Sequence, residues 1–413
     1  MGESDLDSFL ETVSSDWLGQ EQSAQVFFSH LKWQRFHEFR RAISPLKAVT
    51  KRIENIIEKS SKTRGYFFRN PCFINNGLLL PHHRTVSSEI SFEENPEQGA
   101  KDCRTLISGS GDGFSEKDAK TYALLELVER ISYTLGKYQF GFTKGLFFDT
   151  QGTSSLLGQP VSPPSTSGFA LESTPFGAIM RASQEALERD AFLCHWYTQI
   201  APPIIDLSDH PVYRLILRKA KSLGLELRAY RLKAWSSRFY VIYLVAFDPE
   251  FRHGVSYFCS GLGTAMTRNQ AFLKAYFEMD RFLGINNQFI LAKKKGHENI
   301  DSPLGRFFYY QAPLRFADLK VFTTEENLEI QNCDSNGSSE NSFSLSRDLP
   351  ALPAVYPGPI HKKMAGTLFT CWANIPGLLQ LDYDRPPMIN EQRLQEFSEG
   401  RPFALNLAPH PLP

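Results

Sequence analysis

Apolar and polar positions repeat along this chain with two different periods. Leu124, Val128, Ile131 and Leu135 recur at helical spacing and form one stripe. The stretches ALLELVERISYTL, RASQEALERDAFL and RNQAFLKAYFEMDRFL each predict a helix. Their starts carry cap signals: Ser115 before the first, Thr174-Pro175 before the second, and Thr267 with Gln270 before the third. LELRAYRL alternates and FYVIYLVAF is almost continuously apolar, so both predict strands. VSYFCSG predicts a further strand, and residues 206–223 a loop and a helix closed by Gly224. TLIS predicts a strand and the following SGSGDG a turn. Residues 149–175 are rich in Ser, Pro and Gly and read as a long loop. AGTLFTCWANIPGLLQL reads as strand, turn and strand. Residues from about 5 to 60 read as largely helical, with Ile53, Ile56 and Ile57 on one face of a surface amphipathic helix. The composition of 332–348 is that of a flexible insertion. The expected fold class is α/β or α+β, sheets with helices.

Composition narrows the function classes. Lys+Arg and Asp+Glu are both 45, so the net charge is zero. A broad nucleic-acid-binding face is not expected. The six cysteines are Cys72, Cys103, Cys194, Cys259, Cys333 and Cys371, with no Cys-x-x-Cys and no zinc-finger spacing. Cys194 and His195 are adjacent, which on a helix points to core packing. The start, MGESDLDSFLETVSSDWLG, is acidic and lacks a signal-peptide core. No stretch is long and apolar enough to span a membrane. A soluble cytoplasmic protein with reduced thiols is expected.

The candidate chemistry lies in a repeated pattern. Glu126, Glu129 and Arg130 form one Glu-x-x-Glu-Arg; Glu185, Glu188 and Arg189 form another. Each set shares a helix face. Ala119 and Ala123 precede Glu126 by seven and three residues. Ala178 and Ala182 precede Glu185, and Ala271 and Ala275 precede Glu278, at the same spacing. Such small residues leave room for something bound beside the acids. Carboxylates converging from several helices need a positive partner, and a hard divalent cation with phosphate fits. Solvated helix faces with internal i, i+4 pairs are the alternative. SGSGDG, entering the first helix, is either a tight strand-to-helix turn or a phosphate cradle; it is not a Walker loop.

Three runs carry a family resemblance. SGSGDGFSEKDAKTYALLELVERIS, TSGFALESTPFGAIMRASQEALERDAF and GLGTAMTRNQAFLKAYFEMDRFL resemble, in order, the signature segments of YcaO-domain proteins. The resemblance runs from about residue 40 to Pro413. It implies an N-terminal helical segment, 1–40, before a catalytic domain, 41–413, of YcaO-type fold with the acidic helices lining one nucleotide cleft. It implies ATP and Mg2+ as cofactors. Glu126, Glu129, Glu185, Glu188 and Glu278 would hold Mg2+, with Arg130 and Arg189 facing phosphate. Lys47 and Thr50 stand where the family often makes early nucleotide contacts. IPGLLQL and the alternating Pro409, Pro411 and Pro413 resemble the C-terminal segments of azoline-forming members, where the tail enters the active site. Pro413 would bring a catalytic carboxylate.

The implied reaction converts Cys, Ser or Thr of a ribosomal precursor peptide to thiazoline or oxazoline, as in thiazole/oxazole-modified microcin-type bacteriocin and antibiotic biosynthesis. The implied partners are that precursor, an E1-like leader-binding protein and a flavin-dependent azoline dehydrogenase, with a homodimer inside a complex among the assemblies. Thioamide or amidine formation, or a non-catalytic peptide-binding scaffold, are the alternatives. Four positions depart from the family pattern: Tyr122, Gly177, Arg181 and Arg281.

Overall fold

The computed structural model describes residues 16–19, 22–27, 29–30, 51–58, 66–80, 83–92, 106–137, 145–148, 154–157, 165–252, 255–291, 303–324, 330–331, 349–350, 353–381 and 390–412. Lys47, Thr50, the insertion 332–348, Pro413 and most of 1–40 lie outside these residues. In chain order, the elements that build the site begin with β1 (Tyr66–Asn76), β2 (Arg84–Phe92), β3 (Leu106–Gly113) and α1 (Glu116–Leu135). They are followed by β4 (Gly145–Phe148), β5 (Ser154–Leu157), β6 (Phe169–Glu172) and α2 (Pro175–Thr198). Next come β7 (Ile204–Ile205), α3 (Pro211–Ser222), β8 (Glu226–Leu232), β9 (Tyr240–Phe247), β10 (Cys259–Ala265) and α4 (Arg268–Leu291). The last are α5 (Pro303–Tyr309), β11 (Ile330–Gln331), β12 (Ala354–Pro357), β13 (Phe369–Asn374) and α6 (Glu391–Ser398). The α/β reading holds.

The chain divides into two units. The first comprises Met1–Ile74, Arg84–Ser183 and Leu352–Asn374. One of its sheets has the order β1-β2-β3, and α1 packs on β2 and β3. The stripe Leu124, Val128, Ile131 and Leu135 is buried there, with Ile53, Ile56 and Ile57 in the same core. Another sheet has the order β5-β4-β12-β13-β6. Two of its strands fall in the stretch that reads as a loop by composition. Burial of Phe169, Ala170 and Leu171 on β6 outweighs the surrounding Ser, Pro and Gly.

The second unit comprises Asn75–His83, Gln184–Ala351 and Ile375–Pro413. Its sheet has the order β10-β9-β8-β7-β11, with the β7–β11 pair parallel. Strand β9 is apolar almost throughout because both of its faces are covered. Ile242, Leu244 and Ala246 join one core with Phe272, Tyr276 and Met279 of α4. Val241, Tyr243, Val245 and Phe247 join another with Phe192 and Trp196 of α2. Strand β10 begins only at Cys259, not at Val255. Tyr257 has φ of 54°, and a left-handed residue cannot continue a strand. IPGLLQL, expected to end in a strand, forms none; the Leu379 amide donates to Asp190 Oδ1 at 2.9 Å instead.

Glycines decide how both helices seat. SGSGDG is not a turn: it lies wholly within β3. A Cβ at Gly109 or Gly111 would strike the backbone of α1 at Ala123 or Ala119. A Cβ at Gly261 or Gly263 on β10 would strike the backbone of α4 at Ala275 or Ala271. Alternating glycines therefore let each helix lie directly on its strand. Ala119, Ala123, Ala271 and Ala275 are fully buried in that contact, so on α1 and α4 the repeated alanines are packing residues and leave no room beside the acids. Ala178 and Ala182 on α2 are fully buried too.

The caps follow the sequence. Ser115 accepts from the Asp118 amide at 3.1 Å, and Thr174 from the Gly177 amide at 3.1 Å. Thr267 accepts from the Gln270 amide at 3.4 Å, and Gly224 closes α3 with φ of 75°.

Candidate active site

The predicted residues gather as two groups, one in each unit. In the first unit α1 carries Glu126, Glu129 and Arg130. Glu126 Oε2 accepts from the Ser110 amide at 3.1 Å and its hydroxyl at 3.3 Å. Its Oε1 accepts from Arg130 Nε at 2.9 Å and Nη2 at 2.6 Å. Glu129 Oε2 accepts from the Leu171 amide on β6 at 2.9 Å. Glu129 keeps some exposure, yet desolvation of its carboxyl pushes the pKa up to about 7; Arg181 opposes that rise and Glu126 adds to it.

In the second unit Arg189 stands among three carboxylates. It lies 3.9 Å from Glu185 and 3.7 Å from Glu188. Glu278 Oε2 accepts from the Leu262 amide on β10 at 2.7 Å. Burial raises the Glu278 pKa, Arg189 opposes that, and Glu188 reinforces it.

One device recurs. Ser110 and Glu126 are sixteen residues apart, and so are Leu262 and Glu278. In each case the donor lies between the two glycines of a strand at the end of its sheet, and the acceptor on the following helix. Leu171 gives its amide to Glu129 in the same way, from another end strand. Each carboxylate is thereby oriented through one oxygen. On Glu129 and Glu278 this leaves a second oxygen suited by chemistry to a hard cation, which would relieve the raised pKa. Among the described residues, no three His, Cys, Asp or Glu side chains are grouped closely enough to hold a metal ion.

Sequence reasoning missed the strand amides. For Ser110 and Leu262 their signal is the Gly-x-Gly that precedes α1 and α4; Leu171 carries no such mark. It also missed the buried pair Asp190–Arg393, 2.6 Å apart, which ties α2 to α6. Cys194, Cys259 and Cys371 are buried. His195 is held between the Ile200 carbonyl at 2.7 Å and the Lys233 amide at 3.1 Å, a core histidine.

The C-terminal segment 401–412 has no helix or strand, and its end is seated against the second unit's core. His410 and Leu412 are buried. Trp196 Nε1 donates to the Ala408 carbonyl at 3.0 Å, and the Asn406 amide to the Tyr197 carbonyl at 2.9 Å. Tyr310 donates to the Pro409 carbonyl, and Arg306 to His410 Nε2.

Residues 146–331 match the family described as YcaO cyclodehydratase, ATP- and Mg2+-binding. Over that stretch the chain is similar to YcaO domains. No curated protein matches it significantly. Solved structures share the fold. One is a heterocyclase in complex with substrate and cofactor, at 14% identity and TM-score 0.64, covering 91% of this chain. The chain spans 58% of that heterocyclase's length. YcaO from Methanopyrus kandleri, bound with AMPPCP and Mg2+, is 13% identical with TM-score 0.56, covering 90% of this chain and 99% of its own. The E. coli microcin synthetase McbBCD complex gives 13% identity and TM-score 0.54, covering 75% and 88%. The four departures from the YcaO pattern have definite places. Tyr122 is exposed on α1. Gly177 donates its amide to the Thr174 cap. Arg181 lies 3.5 Å from Glu172. Arg281 stands over the Phe282 ring and near enough to Glu278 to oppose its rise.

Proposed function

We propose that this chain is an ATP- and Mg2+-dependent cyclodehydratase acting on the backbone of a ribosomal precursor peptide. The observation that carries the reading is the pair of desolvated carboxylates, Glu129 and Glu278, each oriented by an end-strand amide. Such carboxylates suit a hard cation better than water. Glu126, Glu129, Glu185, Glu188 and Glu278 are the proposed Mg2+ ligands, with Arg130 and Arg189 offsetting phosphate charge. Mg-ATP, when bound, supplies the phosphoryl group that makes a backbone amide oxygen a good leaving group. The chain's contribution is electrostatic and positional. Its arginines neutralise charge, and its helices α1 and α4 lie directly on glycine-containing strands. The proposed partners are the precursor peptide, an E1-like leader-binding protein and a flavin-dependent dehydrogenase. The seated C-terminal tail supports the azoline-forming branch over thioamide or amidine formation.

A second reading, a non-catalytic peptide-binding scaffold, is favoured by one observation: no preassembled metal group exists among the described residues. Calorimetry with Mg-ATP separates the two. Glu185→Gln and Glu188→Gln should each abolish ATP-dependent activity and weaken Mg-ATP binding while circular dichroism stays unchanged. Wild-type Mg-ATP binding in both variants would sink the assignment.

A further inference from the structure

His410 has an unusual setting for a residue in a segment without helix or strand. It is buried, with Arg306 of α5 donating to its Nε2. Arg189 of α2 is close enough to bear on it electrostatically. Burial and both cations hold its pKa well below the usual histidine value, so the imidazole is neutral and its Nε2 is an acceptor. Arg306 is itself buried, and a buried guanidinium binds hardest to an acceptor it can reach. The other tail contacts, from Trp196, Tyr310 and Tyr197, all involve backbone atoms of the tail or of α2. The Arg306–His410 bond instead sets a tail side chain against a charge.

We propose that Arg306 and His410 form a latch that seats the C-terminal tail beside Arg189, making His410 a positioning residue of the Glu185–Glu188–Arg189 group. The latch needs a neutral acceptor at 410. A cation there would face Arg306 and Arg189 together. The functional meaning of the latch rests on the nucleotide reading above; the latch itself does not.

Hydrogen exchange of segment 406–412, read by mass spectrometry on the full chain, tests it. His410→Ala and His410→Lys should raise exchange there about tenfold or more, the fold-change expected for losing a hydrogen bond to a charged group. His410→Gln keeps a neutral acceptor and should stay within about threefold of wild type. Thermal unfolding of all three checks that the fold persists. Unchanged exchange in both His410→Ala and His410→Lys overturns the proposal, as does equal loosening in His410→Gln. Calorimetry with Mg-AMPPCP on the same variants reads the link to Arg189. An affinity changed about fivefold in His410→Lys and restored in His410→Gln supports the positioning role. Identical affinity in every variant reduces His410 to a mere anchor and overturns that role. If the wild type does not bind Mg-AMPPCP, the nucleotide reading fails, while the exchange measurement still decides whether the latch exists.

Discussion

At the scale of single residues, the informative groups are carboxylates held where water is scarce. Glu129 illustrates the sign of the effect. Its pKa rises from an ordinary 4.5 to about 7, mainly through desolvation. Between those values the folded state keeps a proton that the unfolded chain has released. Stability from this group is whole below about pH 4.5 and falls as pH rises to about 7. Glu129→Gln cannot ionise, and its amide oxygen can still accept from Leu171. Wild type should therefore lose roughly 2–3 kcal/mol relative to this variant between acid and neutral pH. Urea unfolding at both ends of that window measures the difference; parallel profiles would show that Glu129 is not desolvated.

At the scale of elements, close helix-on-strand packing governs the geometry. A methyl group at Gly261 would meet backbone atoms of α4, which cannot swing aside as a side chain can. Gly261→Ala should cost about 2–3 kcal/mol and loosen the Leu262–Glu278 bond. Denaturant unfolding checks the first, and hydrogen exchange at the Leu262 amide the second. Asp190 and Arg393 join α2 to α6, with the Asp190 side chain fully buried and Arg393 only 6% exposed. Asp190→Ala leaves a buried guanidinium without its carboxylate and should cost about 3–5 kcal/mol. An effect under 1 kcal/mol would mean that the pair is solvated in solution.

At the scale of the whole molecule, the proposals concern the tail and partners. Deleting Pro411 to Pro413 should remove most cyclisation of a precursor while changing Mg-ATP affinity less. Appending residues after Pro413 should also reduce cyclisation. Heterocycle counts by mass spectrometry, beside calorimetry, give both readouts. Wild-type cyclisation in both variants would make the tail a structural plug. Processing of a full-length precursor should be slow with this chain alone and rise sharply with an E1-like partner. Fast processing by the isolated chain would contradict that.

The boundary between what the chain announces and what folding decides runs through particular residues. Local physics is written in the sequence. The caps at Ser115, Thr174 and Thr267, the Gly224 terminus, the α1 stripe and strands β8 and β9 all follow from neighbours a few positions apart. The Glu-x-x-Glu-Arg pattern likewise marked Glu126, Arg130, Glu185 and Arg189 as i, i+4 pairs. What one sequence could not show depends on contacts between distant elements. SGSGDG looks like a turn until α1 is laid across it, because glycine's freedom and glycine's smallness leave the same mark. The alanines of α1 and α4 look like space for a ligand until a strand fills it. That the Glu126 and Glu278 carboxylates are oriented by Ser110 and Leu262, and Glu129 by Leu171, rests on backbone amides. Every residue but proline carries that donor, so only the tertiary arrangement decides which one meets an acid.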